Sequence, residues 1–213
     1  GGTTLFLRRP VIEALGGWDA HNVTEDADLG VRLARFGYRT EMMASVTAEE
    51  ANCHVWPWIK QRSRWLKGYA MTWSAHMRDP ARLWRDLGPR RFAGVQIVFL
   101  ASLSQFVLLP VLWSFWLIPL GLPHPLREVA PSWLLWTLGG IFILSEALNM
   151  AAHAVGLWRA GRRRLAWWLP LLHPYFPLAA LAAYKALAEM VYRPFYWDKT
   201  RHGLTPPHHR LSV

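Results

Sequence analysis

The longest charge-free run of the chain, residues 92–126, is the feature that most restricts how it can fold. It contains no Asp, Glu, Lys or Arg. About 20 apolar residues suffice for a helix to cross the hydrocarbon core of a bilayer. We therefore predict a membrane span over Phe92–Leu120, with a kink at Pro110.

A second apolar run, Ser132 to Trp158, carries Glu146 as its only charged residue before Arg159. Asn149 and His153 follow Glu146 at i+3 and i+7, so the three polar groups share one helix face. Two interpretations stay open for this face. It lines a polymer path or meets a partner helix, or it forms a hydrogen-bonded packing seam within the bundle.

The third apolar run, Leu165 to Tyr184, is interrupted by three prolines. A broken, re-entrant or interfacial element explains this pattern as well as a clean span. If both flanks are cytoplasmic, the run must enter and leave on one side. We then expect a hairpin over residues 165–192 whose later half, Ala179–Tyr192, is a surface helix with Lys185 and Glu189 at i, i+4. The prolines are Pro170, Pro174 and Pro177.

The net charge of +10 is distributed in blocks along the chain. Residues 56–91 and 156–213 each hold nine Lys or Arg against two Asp or Glu, whereas residues 1–55 hold five Arg against eight acidic residues. Each basic block adjoins an apolar run, which indicates cytoplasmic flanks of membrane segments and not a nucleic-acid surface. We predict a multi-pass protein of the inner (plasma) membrane with residues 1–91 in the cytoplasm. The single Cys53 predicts neither a disulfide nor a metal site.

Residues 1–55 have α/β character. Thr3–Leu7 and Tyr38–Ala44 read as strands, and Pro10–Leu15 reads as a short helix. These elements are too few for a complete α/β domain, and the chain begins without Met. We expect the other half of the domain to precede this sequence.

Three carboxylates fall within four residues at the start of the next expected helix, in Thr24-Glu25-Asp26-Ala27-Asp28. Asn22 or Thr24 is a candidate cap, and Leu29, Leu33 and Phe36 form an apolar stripe. The carboxylates are candidates for chemistry, although acidic residues also complement the positive end of a helix dipole. Just upstream, Trp18 beside Asp19 suits stacking on a sugar face, or packing of the indole onto the core.

A basic, Trp-rich stretch, Trp56 to Gly68, predicts a helix with Pro57 in its first turn. Gln61, Arg64 and Trp65 stand at i, i+3 and i+4, so an amide, a guanidinium and an indole share one face. The guanidinium can grip a diphosphate, the indole can stack on a pyranose and the amide can bond hydroxyls. The alternative is an amphipathic helix lying on anionic lipid.

Thr24-Glu25-Asp26 followed by Gln61-Arg62-Ser63-Arg64-Trp65 resembles the TED and QxxRW motifs of membrane-bound family 2 glycosyltransferases, which include cellulose, hyaluronan and chitin synthases. Gly16-Gly17-Trp18-Asp19 and the late segment Tyr196 to Gly203 are most similar to the bacterial cellulose-synthase-like branch. The resemblance implies that Asp26 is the general base, with Thr24 and Glu25 beside it. It also implies that the QxxRW helix lies under the acceptor end and the nucleotide diphosphate.

The resemblance further implies an α/β GT-A catalytic domain, present here as its acceptor half, followed by a mainly α-helical transmembrane region. Family members bind UDP and a divalent metal, Mg²⁺ or Mn²⁺, through an upstream Asp and a DxD motif, and this sequence contains neither. Asp26-Ala27-Asp28 has the DxD spacing but lies within the acidic helix, so we assign no metal ligand. We expect the sequence on its own to be inactive.

Residues 193–213 are expected to form a cytoplasmic tail, in which Arg193–Gly203 is similar to a loop that closes over the nucleotide in related synthases. There Lys199, Thr200 and Arg201 would donate to phosphates and Trp197 would wedge the loop. The alternative is a basic membrane anchor. The expected order is thus a GT-A half (1–55), interfacial helices (56–91), a membrane region (92–192) and the tail.

The resulting hypothesis is an inverting membrane transferase, with its catalytic part in the cytoplasm, that extends a β-linked polysaccharide from a UDP-sugar. Its expected partners are the donor, the polysaccharide acceptor, the lipid bilayer and secretion or regulatory subunits. Two alternatives stay open. One is a non-processive transferase of lipid-linked sugars, and the other is a non-catalytic membrane scaffold or transporter subunit.

Overall fold

The structure is a computed structural model that describes residues 4–43, 47, 52 and 54–196. Every regular element in this part of the chain is helical. The α-helices are α1 (Arg9–Ala14), α2 (Glu25–Arg35), α3 (Val55–His76), α4 (Pro80–Val95), α5 (Ser102–Val107), α6 (Leu109–Ser114), α7 (Ser132–Arg159) and α8 (Phe176–Tyr192). A π-helical segment, Gln96–Ala101, and 3₁₀ segments, Phe115–Leu117, Pro125–Glu128 and Arg163–Tyr175, complete the list.

The absence of strands in the described residues contradicts the predicted α/β GT-A half-domain. Residues 5–8 and 38–43 form no regular element, and Phe6 is 77% exposed. A strand needs a neighbouring strand to satisfy its N–H and C=O groups, and no strand occurs among the described residues to pair with these segments. The apolar residues there were therefore misread as strands. Thr3 and Ala44, at the ends of the two expected strands, lie outside the described residues.

The chain divides into two compact units. The first comprises residues up to Ser104 together with those from Leu181 onward, and the second comprises Gln105–Ala180. Two clusters of buried side chains form the core of the first unit. One joins α2, α4 and the π-helical segment, and the other joins α2 to the region of α1. The first cluster comprises Val31, Leu83, Leu87 and Phe99. The second comprises Leu15, Leu29 and Leu33.

The short helix predicted over Pro10–Leu15 is present as α1, and the acidic helix is present as α2. Gly37 ends α2 as predicted, with a positive φ of 78° that favours glycine. The expected apolar stripe is only partly buried. Leu29 and Leu33 are in the core, whereas Phe36 is 63% exposed because it lies beyond the last helical residue.

Helix α4 contains a break that the sequence analysis did not predict. Gly88 adopts φ 69° and ψ 172°, and Pro89 follows it. Proline disfavours the helical conformation of the residue before it, and glycine tolerates the positive φ that results. The helix therefore changes course just before the charge-free run begins at Phe92.

One helix among the described residues, α7, is long and apolar enough to cross a membrane by itself. Two further helix pairs pass the same test if each bent pair counts as one span: Pro80–Val107 with Leu109–Leu117, and Arg163–His173 with Phe176–Tyr192. The first expected span is thus helical but broken beside Pro110. The third run is broken as its prolines predicted, and Lys185 Nζ pairs with Glu189 in α8.

In the second unit, α7 packs against the segment around Phe115 through Gly139. A Cβ at Gly139 would lie 3.0 Å from Ile118 Cδ1, so the glycine permits this approach. Glu146 Oε2 lies 2.8 Å from His173 Nε2 in the same unit. This contact favours the interpretation of the polar face of α7 as a packing seam.

Candidate active site

Asn22 ties the turn before α2 to helix α3. Its Nδ2 donates to Thr72 Oγ1 at 2.7 Å, and its Oδ1 accepts from the Thr24 backbone N–H at 3.0 Å. All three residues are buried. Thr24 occupies the N-cap position of α2, one of the two predicted alternatives, but its side chain makes no cap hydrogen bond. The Asn22 amide connects two helices instead.

Thr24 packs directly on α3 at Gly68. A Cβ at Gly68 would lie 2.4 Å from Thr24 Cγ2, 2.5 Å from Oγ1 and 2.9 Å from Cβ. These distances are far below van der Waals contact, so a glycine is required at this position of α3. The contact fixes the Thr24-Glu25-Asp26 turn against the helix that carries the QxxRW residues.

Gln61, Arg64 and Trp65 lie on the side of α3 that faces this turn. They precede Gly68 by seven, four and three residues, which are helical spacings that share a face. Gln61 and Arg64 are partly buried and Trp65 is 38% exposed. At about 1.5 Å per residue, the three side chains begin within roughly 11 Å of Gly68 along the helix axis. The structure therefore brings the two sequence motifs together.

The Arg62 guanidinium stacks between two indoles of α3. It lies 4.7 Å from the Trp65 ring centroid and 5.3 Å from that of Trp58. A cation over an indole face is attracted by the ring quadrupole and limits how the ring can turn. The stacking orients the Trp65 indole, and the Arg62 guanidinium covers part of the ring.

Asp26 and Glu25, the first two residues of α2, have partly buried side chains. Among the described residues, no hydrogen bond or ion pair to either carboxylate occurs in the structure. The positive end of the α2 dipole lies beneath both. Asp26 thus has an acceptor oxygen available beside the Thr24–Gly68 contact.

Asp28 has a structural role instead. Its Oδ2 accepts from Arg32 Nε at 2.7 Å, and its Oδ1 lies 3.0 Å from His76 Nε2. Burial alone would raise the pKa of this carboxyl group, but the hydrogen bond from His76 and the charge of Arg32 outweigh it. The pKa of Asp28 is consequently lowered from its ordinary value of 3.8. The carboxylate locks α2 to the end of α3.

His76 continues this network to α4. Arg35 Nη1 lies 3.2 Å from His76 Nδ1, and Arg35 Nη2 lies 2.6 Å from Asp86 Oδ2. Arginine only donates, so Nδ1 must accept and the ring proton must be on Nε2, from which it is donated to Asp28. The contacts thus select one neutral tautomer of His76 and join α2, α3 and α4.

We expect Asp28→Asn to lower the free energy of unfolding by about 3 kcal/mol, because an amide presents its NH₂ to one of two buried donors. The Asp28 carboxylate stabilises the fold at pH values above its pKa in the unfolded chain. This stabilisation is lost as pH falls through its lower pKa in the folded protein. The Asn variant should therefore not show the loss of folding stability that protonation of Asp28 causes in the wild type below about pH 4. Thermal unfolding in detergent at pH 3 to 7 measures both effects. Glu13→Gln, which breaks an exposed pair with Arg9, is the control and should change little.

No group of three or more His, Cys, Asp or Glu residues that could hold a metal occurs in the described part of the chain. The Asp28 carboxylate, the second acid of the DxD-like spacing, is already engaged by Arg32 and His76. The described residues therefore provide no such group, and the Mg²⁺ or Mn²⁺ that the resemblance implies, held by residues upstream of this sequence, stays a prediction.

Of the remaining predicted site residues, the structure describes two in the loop before α2 and none in the tail. Trp18 is 45% exposed in the loop before α2, which argues against its burial in the core. Asp19 Oδ1 accepts from the His21 N–H at 2.9 Å and so shapes that loop. Trp197, Lys199, Thr200 and Arg201 lie outside the described residues, as does Cys53.

The sequence analysis missed four residues of α3 that hold the site together: Lys67, Gly68, Thr72 and His76. Three of them, Gly68, Thr72 and His76, recur at four-residue intervals and so form one stripe. A stripe of Gly, Thr and His at four-residue intervals, on the helix side that also carries Gln61 and Arg64, was a signal of close polar packing.

Lys67 joins α3 to the chain that follows α8. Its side chain is 1% exposed, and Nζ donates to the backbone carbonyls of Arg193 at 2.7 Å and Tyr196 at 3.0 Å. Burial lowers the pKa of Lys67, and the nearby Glu189 charge opposes this shift. A buried ammonium is stable only where hydrogen-bond acceptors or an opposite charge replace its water.

Comparison with known proteins agrees with the motifs. The family model for glycosyl transferase family group 2 matches residues 2–198. The chain therefore belongs to this family. No solved structure matches it.

Similar curated proteins include a probable glycosyltransferase, YdaM, of Bacillus subtilis, 37% identical over 32% of this chain and 16% of the relative. A cellulose synthase catalytic subunit (UDP-forming) of Komagataeibacter sucrofermentans is 29% identical over 49% of this chain and 13% of the relative. The corresponding subunit of Xanthomonas axonopodis pv. citri is 35% identical over 32% of this chain and 10% of the relative. The matched stretches thus span a small part of each relative's length.

Proposed function

We propose that this chain contributes the acceptor side of a membrane glycosyltransferase that extends a β-linked polysaccharide from a UDP-sugar with inversion. The observation that carries the proposal is the packing of Thr24 on Gly68. It places the Thr24-Glu25-Asp26 turn, hereafter the acidic turn, against the helix face of Gln61, Arg64 and Trp65. Neither motif is specific alone, but together they supply a base, a diphosphate ligand and a sugar platform.

In the proposed reaction Asp26 accepts the proton of an acceptor hydroxyl as that oxygen attacks the anomeric carbon. The new C–O bond forms on the face opposite the departing UDP, which leaves with the electron pair of the broken bond. Arg64 stabilises the charge that develops on the diphosphate through its planar donor fork. Trp65, oriented by Arg62, provides an apolar face for the acceptor sugar.

No step is assigned to the metal that the resemblance implies, because no group of three or more candidate ligands occurs in the described residues. We propose that any Mg²⁺ or Mn²⁺ is held by residues outside those described. The bilayer is the proposed surrounding of α7 and of the bent helix pairs, with the site on the cytoplasmic side.

The proposal is tested by assaying membranes that contain the intact protein with a panel of UDP-hexoses. Incorporation of labelled sugar into material of high molecular mass is the expected result. Products carrying a single added sugar would favour the non-processive alternative. No transfer from any UDP-hexose would refute the proposed function and favour the scaffold.

Arg64 and Trp65 should affect different substrates. We expect Arg64→Lys to raise the KM for the UDP-sugar about tenfold, because an ammonium cannot reproduce the bidentate fork. We expect Trp65→Ala to weaken acceptor use about tenfold with little change in the donor KM. Steady-state kinetics at varied donor and acceptor measure both, with Arg82→Lys on the exposed side of α4 as the control. Equal and small effects on the two substrates would support the lipid-surface interpretation of α3 instead.

A further inference from the structure

Helix α7 ends in a glycine turn that is surrounded by arginines. Gly161 adopts φ 69°, its N–H donates to the Trp158 carbonyl at 3.1 Å, and the Arg162 N–H donates to the Leu157 carbonyl at 2.8 Å. These backbone hydrogen bonds satisfy two carbonyls of the last turn, so no side chain is needed to cap it. The four guanidiniums around the turn belong to Arg159, Arg162, Arg163 and Arg164.

These four side chains are exposed and lack an acidic partner. In the part of the chain that the structure describes, none of the four guanidiniums makes a hydrogen bond or an ion pair. The sequence contains no Asp or Glu between Glu146 and Glu189. Like charges at this density repel one another, and an anion from outside the chain would relieve that repulsion. The cluster therefore favours an anionic ligand.

Trp158 orients one of the four guanidiniums. The Arg163 guanidinium lies over the Trp158 ring, with 5.2 Å between its carbon and the ring centroid. A guanidinium that stacks on a ring uses its flat face, so the N–H groups in its plane remain free to donate. That planar edge matches the paired oxygens of a phosphate group. Arg163 thus presents a bidentate donor at the end of α7.

The 3₁₀ segment Arg163–Tyr175 exposes apolar side chains next to these arginines. With three residues per turn, side chains at i and i+3 lie on one face. Leu169 is buried, so its face turns inward and the other two faces are exposed. One of them carries Arg164 and Trp167, and the Trp167 side chain is 88% exposed. The other carries Leu165, Trp168 and Leu171, all exposed.

The exposed residues around the turn are hereafter called the Arg–Trp patch: Trp158, Arg159, Arg162, Arg163, Arg164, Leu165, Trp167 and Trp168. Helix α7 has 28 residues and is therefore about 42 Å long, which matches a bilayer including its headgroup regions. With α7 in the bilayer, as proposed above, its C-terminal end lies among the headgroups. At the opposite end Arg127 stands beside Glu128, so that end has no excess of positive charge.

We propose that the Arg–Trp patch is a binding site for an anionic phospholipid. The guanidiniums hold the oxygens of the phosphodiester, and Trp167 and Trp168 pack against the upper part of the acyl chains. A soluble anion would use the charges but not the neighbouring indoles. An acidic protein would not require the position at the end of a membrane-crossing helix. The site does not depend on sugar transfer.

Native mass spectrometry of the intact protein in neutral detergent, titrated with phosphatidylglycerol or phosphatidylcholine, measures this preference. We expect phosphatidylglycerol to bind about 100-fold more tightly, at about fivefold per arginine. Arg163→Gln should weaken phosphatidylglycerol binding about fivefold, and the triple change of Arg162, Arg163 and Arg164 to Gln should weaken it about 100-fold. Phosphatidylcholine binding should not change. Equal affinity of the wild type for both lipids would overturn the proposal.

Two variants separate a local site from a general effect of charge. Arg127→Gln removes an exposed guanidinium of the same unit at the other end of α7, so it should bind phosphatidylglycerol as the wild type does. A loss equal to that of Arg163→Gln would show that only net charge matters. Arg163→Lys keeps the charge but not the planar fork, and we expect about threefold weaker binding. Wild-type affinity in this variant would overturn the role given to the stacked guanidinium.

The double change of Trp167 and Trp168 to Ala distinguishes a lipid from a soluble phosphate. We expect it to weaken phosphatidylglycerol binding about tenfold, because the apolar contact with the acyl chains is lost. Glycerol phosphate should not displace the lipid. Unchanged lipid binding in the double variant, together with displacement by glycerol phosphate, would overturn the lipid assignment. Because the substituted side chains are exposed, thermal unfolding should be unaltered in every variant, which excludes misfolding as the cause of a loss.

Discussion

Asp26→Asn should lower kcat by about 10² to 10⁴-fold in the intact enzyme while leaving the KM for the UDP-sugar nearly unchanged. An amide retains the size of the carboxylate but cannot take a proton from the acceptor hydroxyl. Because no described residue hydrogen-bonds to the Asp26 carboxylate, its replacement should break no structural contact. The fold should therefore survive, and thermal unfolding of the purified variant checks that it does.

Glu25→Gln is the comparison that separates catalysis from helix electrostatics. If the acidic residues only complement the positive end of α2, the two variants should lose similar small amounts of stability, about 0.3 to 1 kcal/mol each. They should then show similar polymer synthesis. Near-normal synthesis by Asp26→Asn would refute its role as the base.

Gly68→Ala should lower kcat by about two orders of magnitude and reduce the free energy of unfolding by about 1 to 3 kcal/mol. The added methyl group would stand 2.4 Å from Thr24 Cγ2 and 2.9 Å from Thr24 Cβ. Because Thr24 is branched and buried, no rotamer change clears both atoms. The turn that carries Asp26 must move away from α3.

Gly94→Ala is the matched control for this change. Gly94 also lies in a helix, and a Cβ there would meet nothing within 4 Å. Its alanine variant should keep full activity and gain up to about 1 kcal/mol from helix propensity. Combined assays of turnover and thermal unfolding compare the two. Wild-type turnover in Gly68→Ala would show that the position of Thr24 does not matter for the reaction.

The sequence predicted the helices better than it predicted the elements between them. Helix α7 was predicted over Ser132–Trp158 and observed to Arg159, since one long apolar run bounded by Pro131 and a basic block leaves few alternatives. The predicted strands failed because a short run of five to seven residues does not say whether a partner strand exists. The resemblance to α/β enzymes supported the same wrong assignment.

The sequence predicted which residue types form the candidate site, but it did not predict the contacts that hold these residues together. Short motifs indicated Asp26, Arg64 and Trp65, whose roles stay predictions. The contacts that assemble the site join residues far apart in sequence: Asn22 meets Thr72 across 50 positions, and Lys67 meets Arg193 across 126. Local periodicity contains no information about such pairs. The sequence offered Asn22 or Thr24 as the cap because capping is the common local use of both residue types.

Helix α3 makes all of these connections from one continuous element of 22 residues, about 33 Å long. Lys67, Gly68, Thr72 and His76 meet their partners in a single register. A slide of one residue would move each by about 1.5 Å and turn each by about 100°, so every contact would be lost in the same step. The acidic turn, the end of α2 and the segment after α8 therefore cannot loosen one at a time by movement of α3. They form one cooperative unit, intact or released as a whole.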